Sequence, residues 1–292
     1  MPDYASIANK FPLVKKVIYA PFPGEFMESA LRRGKEVQGI RNFRKNDFHI
    51  QKIRPTRSKG SWRLVLPSFF VDDNIAKQAV NENTLYPLFA VLGRCVHDSK
   101  YTPTRGWKIC KTCVTEDTQS YGSPYIHVAH LPRSVTLCYK HAVQLHDTCP
   151  SCGIPIYAHQ MASLTDCSAS FPEPATAIGT PHHDYALFVK DLLNFRGSTY
   201  NTISVSRNLS EKYVRLMYGE NYALGYSSYR SDISLFLGMV FKDTNSEYHS
   251  FDMSLALAFL VFKNADSFIS FIQRPISKPN PRETVISSAP QC

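Results

Sequence analysis

Residues 110–153 hold five of the chain's eight cysteines, arranged as Cys110-x2-Cys113, Cys138-x2-His141 and Cys149-x2-Cys152. Zinc takes four soft or borderline ligands in a tetrahedron, and two residues separated by two others on a tight turn can offer both side chains to one ion. The first two turns make a complete Cys3His set, Cys110, Cys113, Cys138 and His141. A set with four protein ligands leaves no coordination position for water, which points to structure rather than metal-assisted hydrolysis.

The third turn, Cys149 and Cys152, needs partners downstream. Cys167 is present in "DCSAS", but Ser170 stands where a fourth cysteine would complete the simple pattern. His159 or His146 can complete the set, or the turn is a metal-free hairpin. A disulfide framework belongs to small secreted chains, so paired cysteines at this spacing read as metal ligands. Cys95 reads as a buried small hydrophobe, Cys292 as a thiol of the tail, and His130 as a packing or hydrogen-bonding histidine. Glu116 and Asp117, just after the first turn, read as solvated acids. Neither a His-x-Glu nor a His-Glu-x-x-His arrangement occurs, so no catalytic residue is assigned and no enzyme is expected.

The elements that must position these ligands follow from periodicity. In residues 1–95, "DDNIAKQAVNENTLYPLFAVLGR" repeats apolar residues at helical spacing through Ile75, Ala79, Val80 and Leu85. Residues 96–167 form the zinc-binding module. Residues 168–183 include "SASFPEPATAIGTPHH", whose prolines and small residues mark a linker or extended crossing. Residues 184–273 return to helical spacing in "DYALFVKDLLNF", "SEKYVRLMYG", "SDISLFLGMVF" and "MSLALAFLVFKNADSFISFI". The tail, 274–292, lacks a periodic apolar face and reads as disordered. The fold class is therefore mostly α with a small zinc-ribbon or knuckle module, helical N- and C-terminal domains and helix-turn-helix-like elements. No N-terminal basic and apolar leader and no run of 18–20 apolar residues is present, so a soluble cytoplasmic chain is expected.

Charge is concentrated. Arg32, Arg33, Lys35, Arg41, Arg44, Lys45, Lys52, Arg54, Arg57, Lys59 and Arg63 face only Glu36 and Asp47 in the same stretch, an excess of nine that equals the +9 of the whole chain. Such a run is either a solvated face or a surface that neutralises phosphates and releases counterions. The second reading makes these eleven residues a candidate DNA-binding set.

Beyond the cysteines, "CKTCVTED", "YGSPYIHVAHLPRSVTLCYKHAVQL" and "CPSCG" resemble the zinc region of the TniQ/TnsD family. "PFPGEFMESALRR" (21–33) and "NTLYPLFAVL" (83–92) resemble segments that precede that region in the family, and the helical stretches after residue 211 resemble those that follow it. Lys111, Val114, Ile126, Val128 and Ser170 depart from the family's usual residues. The resemblance implies a transposon target-selection protein that binds target DNA, or a Cascade complex with its guide RNA, and recruits a TnsC-like AAA+ ATPase. It makes Pro21 to Leu92 the expected ATPase-facing part, although Phe22, Phe26, Met27 and Leu31 fit a core equally well. Direct DNA reading or guide-complex recruitment, and monomer or homodimer, stay as alternatives. The competing function is a zinc-containing DNA-binding transcriptional regulator unconnected with transposition.

Overall fold

The computed structural model describes residues 20–37, 39, 51–53, 63–65, 73–93, 102–103, 105–197, 202–241 and 250–273, with 51–53, 63–65, 73–77 and 202–204 described by their backbone alone. The described chain is mostly helical. Its helices are α1 (Met27–Val37), α2 (Asp73–Asn83), α3 (Tyr86–Val91), α4 (Lys111–Tyr121), α5 (Met161–Ser168), α6 (Pro181–Leu192), α7 (Thr202–Tyr218), α8 (Tyr222–Leu237), α9 (Phe251–Phe262) and α10 (Ala265–Gln273). One antiparallel hairpin interrupts them, β1 (Gln51–Ile53) against β2 (Arg63–Val65), with Gln51 opposite Val65 and Ile53 opposite Arg63.

Local chemistry sets several boundaries. The apolar stretch before the cysteine-rich region breaks into α2 and α3 because Thr84 turns back on the chain: its hydroxyl donates to Val80 O and accepts from Tyr86 N. Pro87 then stands at the start of α3, where a missing N–H costs nothing. Thr180 caps α6 by accepting from His183 N at 3.3 Å, with Pro181 at the first helical position. Ser250 caps α9 in the same way through Met253 N. Between α5 and α6 the proline-rich crossing is extended and is tied down where Ala177 N donates to Ala142 O at 2.7 Å.

A single cluster of buried apolar side chains runs from Phe26 to Ile272 and takes in Cys110, Cys113, Cys138 and Cys149. Seven consecutive residues of α9, Met253 to Phe259, are buried, so this helix is enclosed on all sides. It is fastened to the cysteine-rich region at its first turn, where Ser134 N donates to the Asp252 carboxylate at 2.9 Å. Tyr185 of α6 meets Ser134 through their hydroxyls at 2.8 Å. α7 and α8 pack on each other across a short turn at Gly219, whose φ of 58° suits glycine, a connection of helix-turn-helix type. Among the described residues no single helix is long and apolar enough to cross a membrane; α9 and α10 reach that length only as a pair bent by 100°.

Candidate metal centres

Cys110 is the residue that precedes α4, and Cys113 lies in its first turn, so the start of one helix presents both sulfurs. The opposing pair comes from a tight knuckle. Cys138 N donates to Val143 O, and Ala142 N donates back to Cys138 O, both at 2.8 Å. Closing this turn forces Ala142 into the left-handed region at φ 54°, a conformation a β-carbon disfavours.

The four ligand atoms converge. His141 Nδ1 lies 3.4 Å from Cys110 Sγ, 3.3 Å from Cys113 Sγ and 3.6 Å from Cys138 Sγ, and Cys113 and Cys138 sulfurs are 3.6 Å apart. A zinc tetrahedron with bonds of about 2.3 Å to sulfur and about 2.0 Å to nitrogen has edges of roughly 3.5 to 3.8 Å. The set therefore fits one zinc-sized cation with slight expansion. Hydrogen bonds from Cys113 and Cys138 hold the Cys110 thiol far below its ordinary range, while the bond with Cys110 pushes Cys138 up to about 12. Three thiols this close share one ionisation, and a divalent cation is what lets all three become thiolates. Behind the histidine, Nε2 of His141 lies 3.1 Å from Glu116 Oε1, within ion-pair reach though poorly aligned for a hydrogen bond. Lys140 pairs with the other oxygen of Glu116 and is the main cause of that carboxyl's lowered pKa.

A second set of the same composition forms from Cys149, Cys152, His159 and Cys167, with one atom from each lying within 4.8 Å of the others. Thus His159, not His146, stands in the fourth place. Its Nδ1–H donates to Gln160 O at 2.8 Å, which fixes the ring and leaves a buried Nε2 without a hydrogen-bond partner. That is the arrangement of a metal-ligating imidazole whose other nitrogen is oriented by a carbonyl. His146 packs its ring against Phe171, at 5.4 Å between centroids. The hairpin carrying Cys149 and Cys152 is closed by Cys149 N donating to Ile154 O, with Gly153 at φ 71° where a left-handed residue is required.

Asp117 is not a solvated acid. It is 4% exposed, and His127 Nε2–H donates to its carboxylate at 2.9 Å, so α4 is clamped to the segment leading into the 3-10 turn at Val128–His130. The spacing offered no hint of this, because Asp117 finds its partner on a different element. His130 is fully buried against the His127 and Tyr139 rings, with neither ring nitrogen hydrogen-bonded among the described residues. Burial first, then the neighbouring His127, drives its pKa well below the usual histidine value and keeps it neutral.

Of the basic residues, Arg33 is turned inward: its guanidinium donates to Glu25 at 2.8 Å and stacks over Phe22 at 3.8 Å. It serves the fold rather than offering a phosphate contact. Arg32 lies over Trp107 at 4.4 Å and donates to His159 O at 3.3 Å. Lys35 is half-buried on α1. Lys52 and Arg63 fall on the hairpin strands, described by backbone only, and Arg41, Arg44, Lys45, Arg54, Arg57 and Lys59 lie outside the described residues, as do Cys95, Cys292 and the tail. No family model, curated protein or solved structure matches the chain.

Proposed function

We propose that this chain is a target-selection adaptor of the TniQ/TnsD kind. In this reading it binds nucleic acid, or a guide-RNA Cascade complex, and recruits a TnsC-like AAA+ ATPase for transposition. One observation carries the reading. Three motif groups on which the resemblance rests are far apart in sequence, 58 residues between Glu25 and Asn83 and 97 between Ser29 and Ile126, yet residues 21–33 hydrogen-bond to both of the others.

Glu25 of "PFPGEFMESALRR" is fully buried and accepts from Ser29, Arg33 and the Phe22 amide. The same segment pairs with "YIHVAH": Phe26 N donates to Ile126 O at 2.7 Å, Ile126 N to Ser29 Oγ at 3.0 Å, and Val128 N to Gly24 O at 2.9 Å. Asn83, first residue of "NTLYPLFAVL", donates to Glu25 O at 2.7 Å. A chance likeness at three separate places would not require those places to interlock.

The closed Cys3His sets act as scaffold in this reading, since neither leaves a position for a metal-activated water. Phe26, Met27, Leu85 and Leu88 are core residues, so an ATPase contact in the N-terminal segment must use other positions. The nucleic-acid surface begins beyond Arg33, with the positions from Arg41 onward as its main part.

The test uses the full chain, duplex DNA carrying the target, and the AAA+ ATPase encoded beside it. The adaptor should retain the ATPase on DNA, and affinity for DNA should fall with salt at a log-log slope of about 0.9 per phosphate contact. Combined Arg41→Glu, Arg44→Glu, Lys45→Glu and Lys52→Glu should abolish DNA binding with zinc content unchanged. Truncation through residue 33 is a poor probe because it removes Glu25, Phe26 and Met27 from the core. Failure to hold any ATPase with target DNA present sinks the adaptor role, and DNA binding without it favours the transcriptional regulator.

A further inference from the structure

The two Cys/His sets differ in what shields them. Cys110, Cys113 and Cys138 are 0%, 2% and 0% exposed. In the second set Cys149 and His159 are buried and Cys167 is half-buried, but Cys152 is exposed at the tip of its hairpin. Oxidants attack the thiolate they can reach, so the second set has an opening that the first lacks.

The second set also holds up a particular element. His159 stands just before α5 and Cys167 lies in its last turn; this eight-residue helix is too short to persist without tertiary support. At its N-terminus the amides of Met161 and Ala162 donate to the two carboxylate oxygens of Glu36, at 3.0 and 3.1 Å. Arg32 donates to the carbonyl of His159 itself. Both Arg32 and Glu36 belong to α1, the helix whose end opens into the basic stretch. A chain of contacts therefore runs from Cys152 and Cys167 through α5 to the last turns of α1.

We propose that Cys152 is a redox-modification site: its oxidation releases the metal of the second set and frees α5 from α1, while the first set keeps its metal. The inference rests on the metal reading of the second set and is independent of the nucleic-acid reading. Hydrogen peroxide is the oxidant. The Cys152 thiolate attacks one peroxide oxygen; an S–O bond forms, the O–O bond breaks and hydroxide leaves. The Cys167 thiolate, the other ligand with solvent access, then attacks the Cys152 sulfur; an S–S bond forms, the S–O bond breaks and a second hydroxide leaves. Two thiolates give up two electrons, peroxide accepts them, and two protons complete two waters. The disulfide has lost both anionic ligands, so Cys149 and His159 alone no longer make a closed set.

The experiment treats the zinc-loaded full chain with stoichiometric hydrogen peroxide and follows three readouts: zinc released to a chromogenic chelator, disulfides by peptide mapping, and amide exchange. Expected are two zinc ions per chain at the start, release of one, and a Cys152–Cys167 disulfide. Exchange should rise about tenfold in residues 161–168 and 32–37, with 251–262 unchanged, and reductant plus zinc should reverse it. Cys152→His keeps four ligands without the oxidisable sulfur and should hold both ions under the same treatment. Joint release of both ions, a disulfide among Cys110, Cys113 and Cys138, unchanged exchange in 32–37 after one ion leaves, or release from Cys152→His at the wild-type rate would each overturn the proposal. A starting content of one ion would instead remove the metal reading of the second set on which it stands.

Discussion

At the scale of single residues, the side chains around the ligands do as much as the ligands. Cys110, Cys113, Cys138 and His141 are legible from spacing alone, because a two-residue gap on a turn is a local property. His159 is only half-legible: it lies near enough to compete with His146, and what decides between them is the Gln160 carbonyl that turns its ring. Asp117 is misread altogether, since a carboxylate beside a ligand pair looks solvated until His127 arrives from another element. Glu28 provides a test at this scale. It is half-buried on α1, and loss of solvent pushes its pKa up to about 7, only partly offset by Arg32 and Lys35. The unfolded chain then releases this proton near pH 4.5 and the folded chain near 7. The carboxyl therefore costs no stability below about 4.5, and the cost grows to its full value as pH rises through 7. Glu28→Gln should be more stable than the wild type by about 2 kcal/mol at pH 8 and nearly equal to it at pH 4.5, measured by urea unfolding of the two proteins side by side. A gain independent of pH would show that charge at Glu28 is not the cause.

At the scale of elements, helices carried by apolar periodicity were readable, including α2, α3 and α9, whereas the caps at Thr180 and Ser250 come from the structure, and α6 begins inside the stretch read as a linker. The contacts that orient those elements were not readable, because their partners are far apart in sequence. Lys108 illustrates the point. This lysine is buried, and its ammonium donates to Pro132 O at 2.6 Å and to Val135 O, pinning the turn that leads into the Cys138 knuckle. Burial lowers its pKa to about 8. Lys108→Met fills the space but leaves those carbonyls without a donor, which should cost about 3 kcal/mol in chemical unfolding and loosen the first metal site. An unchanged midpoint would mean that water replaces the ammonium at no cost.

At the scale of the whole molecule, the metal sets are sewn into one apolar core rather than appended to it, since Cys110, Cys113, Cys138 and Cys149 all belong to the cluster running from Phe26 to Ile272. A mostly helical scaffold with clustered cysteine and histidine was legible in composition and spacing. The interlocking of residues 21–33 with 125–130 was not, because hydrogen bonds between a helix and a distant loop leave no periodic trace. If the scaffold is metal-built, removing metal should disturb the helical region as well as the knuckles, for binding free energy at such sites is folding free energy.

The scaffold reading stands or falls on whether the two closed Cys3His sets each hold one zinc ion. Native mass spectrometry of the full chain, purified without chelator, tests it most directly when wild type, His159→Ala and Cys113→Ser are compared. The account predicts two zinc ions on the wild type, one on His159→Ala with the fold retained, and loss of the folded charge-state distribution for Cys113→Ser. A wild-type chain that folds without zinc, or a His159→Ala variant that still carries two ions, would contradict it.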